Sequence, residues 1–217
     1  MPEIQISERL ISFLYFLPVF FLSLAIHEFA HAYTANIKGD STAKDFGRLT
    51  LNPIKHLDIV GSVLMPIAAF ASGFALIGWA KPVPVNRKNF KNPLKDDAFV
   101  SAAGPISNFI LAVFLFLIFA FLDNTNPQNY ETAKSILWFG TFFNIFLFVF
   151  NLLPIPPLDG SHILFDLFPN KFTAKLLNLG FYGTFILFIF IYSPLWDYFF
   201  ALVNFILKMF LYIKSVF

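Results

Sequence analysis

The chain contains no cysteine. That excludes disulfides and thiolate ligands, so any metal has to be held by histidine and carboxylate. It leaves the redox compartment undetermined. Charge is scarce as well. Only 13% of the 217 residues are charged, where a soluble domain carries about a quarter. The net charge of +2 comes without the clustered basic face that nucleic acid demands, so nucleic acid is excluded as a partner. There are four histidines, which makes the position of each one informative. No internal repeat, low-complexity linker or second soluble domain is visible, and residues 1–217 read as a single domain.

What the chain has in excess is apolar surface: 58% of residues are hydrophobic and 33 are Phe. A water-facing exterior cannot hide that much, and lipid is the solvent that tolerates it. The expected fold is an all-α polytopic membrane protein, multi-pass in the lipid bilayer, and in the cytoplasmic membrane if the cell is prokaryotic. Five long, nearly uncharged runs start at Leu10 and at residues 59–80, 98–122, 135–153 and 176–195. A sixth, 198–213, is shorter and broken by Lys208. Each long run approaches or exceeds the roughly 20 residues that a helix needs to cross the hydrocarbon, giving about five or six membrane segments. Ala30-His31-Ala32 imitates a signal-peptidase site. However, Glu3 and Glu8 with only Arg9 make a poor n-region, and the apolar run 10–26 is long for a cleaved leader.

The run 59–80 stands apart. Gly61, Pro66, Gly73 and Gly78 weaken its helix. Basic loops flank it on both sides: Lys38, Lys44, Arg48 and Lys55 before, Lys81, Arg87, Lys88, Lys91 and Lys95 after. The positive-inside rule places both loops on the cytoplasmic side, which one simple crossing cannot satisfy. The run is therefore either re-entrant or an exception to the rule. The loop between 122 and 135 has one basic residue, Lys134, and reads as external, which puts the N-terminus outside. Residues 47–53 alternate like a short strand, and the Pro-interrupted 79–86 fits only an edge strand. A small strand or re-entrant element is thus expected between the first and third spans.

His27-Glu28-Phe29-Ala30-His31 matches H-E-x-x-H on an expected helix. Residues four apart share a helical face, so both imidazoles can address one ion, with Glu28 beside them as a base. Three ionisable groups within five positions of a membrane helix are costly unless they are partnered, which favours function over incidental placement. A catalytic zinc uses three protein ligands and an open position. Asp159, in Asn151-Leu-Leu-Pro-Ile-Pro-Pro-Leu-Asp-Gly160, is the leading third ligand. Its prolines break the helix ending near Leu153, and broken backbone at membrane depth belongs beside protein or a wet cavity. The alternative is that Asp159 merely caps the next helix. His56 and His162 are weaker ligand candidates. Asn108, in Ala103-Gly-Pro-Ile-Ser-Asn108, could hydrogen-bond the metal-bearing helix, orient a substrate, or simply pack.

These three motifs, in this order, resemble the site-2 protease family of intramembrane zinc metalloproteases. Gly47-Arg-Leu-Thr-Leu-Asn-Pro-Ile-Lys-His-Leu-Asp58 followed by Gly78-Trp-Ala-Lys-Pro-Val-Pro-Val-Asn86 resembles the compact prokaryotic branch without PDZ or CBS domains. The resemblance implies one Zn2+ per chain on His27, His31 and Asp159, Glu28 as catalytic general base, and Asn151 as a substrate-binding residue. It also implies regulated intramembrane proteolysis. Because a helix hides its carbonyls in hydrogen bonds, the expected substrate is a single-span transmembrane protein whose helix unwinds. The rival reading from another class is a membrane zinc transporter or channel, whose ligands would line a route open on both sides.

Overall fold

The computed structural model describes residues 2–72, 78–125 and 129–216. Among them the protein is helical, with a single isolated antiparallel bridge between Leu57 and Ala80. The helices are α1 (Pro2–Ile37), α2 (Thr42–Asp45), α3 (Met65–Ser72), α4 (Pro93–Thr125), α5 (Glu131–Asn151), α6 (Asp159–Leu167), α7 (Lys171–Leu177), α8 (Gly183–Ile191) and α9 (Leu195–Val216). Four stretches are long and apolar enough to cross a membrane: Phe13–Ile37, Pro93–Thr125, Glu131–Asn151 and Leu195–Ser215. The chain is an integral membrane protein.

Helix α4 is the hub, packed against α1, α5 and α6, while α9 lies on α5. The core between α4, α5 and α9 is built on Ala112, Phe116, Ile145, Val149, Phe199 and Val203. Trp196 stacks on Phe199 at 4.8 Å, and Phe146 meets Phe199 edge-on at 5.3 Å. Such offset and edge contacts suit the aromatic quadrupole. At the far end of α4, Asp123 pairs with both Lys134 and Lys214, tying α5 and α9 to it.

Helix α1 stops at a left-handed glycine. Gly39 has φ of 107°, and Asp40 N–H returns to Ala35 O at 2.9 Å. A residue with a Cβ would be strained at that φ. The buried Asp40 carboxylate then accepts from Asn86 N–H at 2.7 Å and from Asn89 Nδ2 at 2.7 Å. Burial works to raise the pKa of Asp40, but the Thr42 hydroxyl and these amides outweigh it and hold the group below the usual carboxylate range. The end of α1 is thereby tied to the stretch leading into α4.

Residues 73–77 of the run 59–80 lie outside the described residues, and its described ends lie together. It starts as a π-helical turn, Ile59–Leu64, and continues as α3. Its two ends are bonded to each other: Trp79 N–H to Gly61 O at 3.1 Å, Ser62 Oγ–H to Trp79 O at 2.7 Å, and Lys81 N–H to His56 O at 2.9 Å. Ends that meet are what a re-entrant segment requires. Gly61 is required here, because the Trp79 ring lies where a Cβ would stand.

The sequence expectation differs from the structure in two places. Residues 176–195 do not form one membrane helix. The chain turns through Gly180, at φ of 49°, and α8 has nine residues, about 13 Å of helix. The span is instead α9, whose Lys208 is exposed and interrupts nothing. Residues 47–53 form bends rather than a strand. Asn52 caps the 3-10 turn Pro53–His56 by accepting from Ile54 N–H, and His56 Nε2–H donates to Thr50 O at 2.7 Å. Local side-chain bonds outcompete strand pairing there. Within 79–86, Ala80 alone is bridged.

Candidate metal centre

His27 and His31 lie on one face of α1, near its end, and face the first half of α4. His31 Nδ1 sits 2.7 Å from Val100 O. A carbonyl only accepts, so Nδ1 carries the proton and Nε2 presents a lone pair. His27 Nδ1 sits 2.6 Å from Asn108 Oδ1, which gives the same tautomer. The two bare Nε2 atoms are 3.0 Å apart.

Asp159 completes the group. It is the first residue of α6, not its cap; the cap position is Leu158, which makes no side-chain capping bond. The capping alternative therefore fails. Gly160 makes the approach feasible, since a Cβ there would fall on the carbonyls of Leu152 and Leu153. Asp159 Oδ2 lies 3.2 Å from His27 Nε2 and 3.5 Å from His31 Nε2. It is buried with no hydrogen-bond partner.

Three ligand atoms thus converge, one from each residue, and together they could hold a metal ion. The size of the triangle is compatible with zinc. A tetrahedral ion with bonds of about 2.0–2.1 Å separates neighbouring ligands by about 3.3 Å, and the three separations here are 3.0, 3.2 and 3.5 Å. His27, His31 and Asp159 are the group among the described residues that could hold a metal ion. Gly104 of α4 lines the opposite wall. A Cβ there would press on His31 Nε2 and stand 2.6 Å from His27 Nε2.

Glu28 is buried beside the triad, and its Oε2 accepts Val83 N–H at 2.9 Å. Val83 stands between Pro82 and Pro84, neither of which has an N–H. The one donor of that tripeptide is aimed at Glu28.

The other sequence candidates fall elsewhere. His56 is buried in the loop it braces, and His162 sits beside Arg87 and Asp97. Neither joins the donor group. Asn108 is fully buried beneath His27. Asn151 is half-buried at the end of α5 and donates to Leu147 O at 3.0 Å. Asn144 and Ser23 escaped the sequence reading. Both are fully buried polar residues in otherwise apolar helices, and that contrast was the available signal.

The sequence matches the model of peptidase family M50 over residues 15–132 and 122–191. The chain belongs to peptidase family M50. This is the site-2 protease family, and membership makes the chain a zinc metalloprotease. YwhC of Bacillus subtilis, named as a candidate zinc metalloprotease, is 42% identical over 82% of this chain and 80% of its own length. Rip2 of Mycolicibacterium smegmatis, named likewise, is 38% identical over 64% of this chain. The match spans about half of Rip2, 51% of its length. The zinc metalloprotease MJ0392 of Methanocaldococcus jannaschii is 26% identical over 74% of this chain and 38% of its own length. No solved structure matches the chain.

Proposed function

We propose that this M50 peptidase cleaves single-span transmembrane proteins within the cytoplasmic membrane, as a step of regulated intramembrane proteolysis. The observation that carries the reading is the convergence of two histidine nitrogens and one carboxylate oxygen inside a bundle of membrane-length helices, with a carboxylate base next in sequence to one ligand.

The donor set fits zinc, and His27, His31 and Asp159 would hold it. When bound, the ion supplies Lewis acidity, lowering the pKa of water toward neutrality and polarising the scissile carbonyl. Glu28 takes a proton from the attacking water and returns it to the leaving amine nitrogen. Val83 N–H occupies Oε2 and so orients the carboxylate, leaving Oε1 for the proton. A helical substrate hides its carbonyls in hydrogen bonds, so it has to unwind at the site. The extended 81–86 stretch supports strand addition by such a segment, because among the described residues it belongs to no sheet; its Lys81, Val83 and Asn86 N–H groups are taken by His56 O, Glu28 and Asp40, which leaves Val85 N–H and the carbonyls of 82–85 to pair. Asn151 supports a role in holding substrate: its second amide hydrogen and its Oδ1 have no partner among the described residues.

The rival transporter reading needs ligands in series along a route. Among the described residues the donors form one cluster, with a base attached. The test compares membranes containing the wild-type chain with membranes containing Glu28→Gln. Soluble fragments of single-span proteins should appear with the wild type only. Zinc content should be equal, and the cleavage rate should fall by about 10²–10⁴. Identical fragments and rates in both would overturn the assignment.

A further inference from the structure

A chain of buried hydrogen bonds leads away from the metal centre, and its direction is fixed at the far end. Ser23 Oγ–H donates to Val19 O at 2.7 Å. Its oxygen is then free to accept Asn144 Nδ2–H at 2.9 Å. The other Asn144 amide hydrogen goes to Gly140 O at 2.9 Å. Both amide hydrogens of Asn144 are committed, so its Oδ1 faces Asn108 and accepts Nδ2–H at 2.9 Å. The second Asn108 hydrogen reaches Ser23 O at 3.3 Å. Asn108 Oδ1 is what remains, and it faces His27 Nδ1.

No link in this chain can be reversed alone. The carbonyls of Val19, Ser23 and Gly140 belong to helix backbone and only accept. If Asn108 turned over, its amide hydrogens would point at Nδ1–H of His27, and its oxygen would face Asn144 Oδ1. The imidazole would then favour a proton on Nε2, the atom turned toward Asp159 and His31.

We propose that Asn144 and Ser23 are positioning residues that fix the tautomer and ring orientation of His27 through Asn108, so that Nε2 is kept bare for the metal. Neither residue approaches the donor triad. They act from α5 and from the preceding turn of α1, so three membrane helices have to be in register before His27 can bind. Partners of this outer kind are worth about 10- to 100-fold in metal affinity. The proposal rests on the zinc reading of the triad.

The experiment measures zinc affinity of the detergent-purified full chain by competition with a coloured chelator, and the melting temperature of the zinc-free form. Wild type and His27→Ala come first. If the wild type binds no zinc, or His27→Ala binds it equally well, the reading of the site fails and not only this proposal. Given a working site, Asn144→Leu should weaken zinc binding about 10- to 100-fold while the zinc-free melting temperature stays near that of the wild type. Ser23→Ala should weaken it by a smaller factor. Ser23→Thr should restore it, because the hydroxyl is kept and Ser23 borders an apolar groove with Pro18, Leu22 and Leu115 that has room for a methyl. Unchanged affinity in Asn144→Leu would overturn the proposal. So would a fall in affinity matched by an equal fall in Ser23→Thr, or one accompanied by loss of the zinc-free fold in every variant, since packing alone would then account for it.

Discussion

Gly104→Ala is the smallest change that reaches the metal centre without touching a ligand. The added methyl would stand 2.6 Å from Nε2 and Cε1 of His27 and press on Nε2 of His31. Non-bonded heavy atoms settle at about 3.5 Å, so the imidazole has to retreat by about 0.9 Å or α4 has to back away from α1. Metal sites tolerate deviations of about 0.2 Å in ligand distance, so the retreat is several times too large. Overpacking of this kind costs about 1–3 kcal/mol. Expressed wholly in zinc binding, that is roughly a 5- to 150-fold loss of affinity. The assay is chelator competition on detergent-purified protein, with Gly140→Ala as the control. There the new Cβ is crowded by Leu115 Cδ1 alone, at 2.8 Å, the far end of a flexible side chain, and stands at ordinary contact distance, 3.8 Å, from Val19 Cγ1. The control should bind zinc normally and Gly104→Ala should not. Equal affinity in the two proteins would show that the imidazoles do not rest against α4, and the geometry of the centre would have to be redrawn.

Two further perturbations test other parts of the structure. Burial and the neighbouring Asp97 carboxyl push Asp166 up to about 8, with Arg87 partly offsetting them and His162 beside the pair. Between about pH 4, where a free carboxyl titrates, and pH about 8, the unfolded chain has lost a proton that the folded chain keeps, so stability falls as pH rises through that window. Melting temperature should therefore decline from acidic to alkaline pH, and Asp166→Asn, which mimics the protonated acid, should flatten that slope; an unaltered slope would refute the argument. Because the chain has no cysteine, Lys55→Cys and Lys95→Cys each create a single reporter at an exposed position on one side of the run 59–80. Both should react with a membrane-impermeant maleimide from the same face, and labelling from opposite faces would make 59–80 a true crossing.

Some of this was legible because the information is local. The spacing of His27 and His31 is a helical repeat, so their shared face follows from sequence once the helix is granted. Asp159 was legible as a candidate because a proline-broken helix end at membrane depth belongs beside protein or a wet cavity, but capping of the next helix explained it equally well until its oxygen was seen beside the two imidazoles. The ends of the run 59–80 were constrained by flanking charge, and the backbone bonds joining Trp79 to Gly61 agree with that constraint. Hydropathy misread 176–195 because it sums side chains and is blind to backbone reversal. Gly180 turns the chain in the left-handed region, and the helix restarts for only nine residues. The same sum demoted α9 for Lys208, although an exposed lysine on a 22-residue helix costs it no packing.

The outer layer of the metal centre is half legible, and the missing half is instructive. Ser23, His27 and His31 fall at intervals of four along α1; Val100, Gly104 and Asn108 do so along α4; Gly140 and Asn144 do so along α5. Apart from Val100, which contributes only its backbone carbonyl, each is a narrow small-or-polar stripe on an apolar helix, and stripes of that kind mark faces where helices approach closely. Their existence can be read from sequence, but their pairing cannot, because three stripes can be matched in more than one register. What selects the register is the hydrogen-bond count. An amide has two donor hydrogens and one acceptor oxygen, and with Ser23, Asn108 and Asn144 level one hydrogen of each amide reaches a helix carbonyl (Ser23 O, Gly140 O) while the other reaches a side-chain oxygen (Asn144 Oδ1, Ser23 Oγ). An unsatisfied amide in hydrocarbon costs several kcal/mol, which favours the register in which these amides are paired. The same bonds that set the helices level also hold Nε2 of His27 toward Asp159.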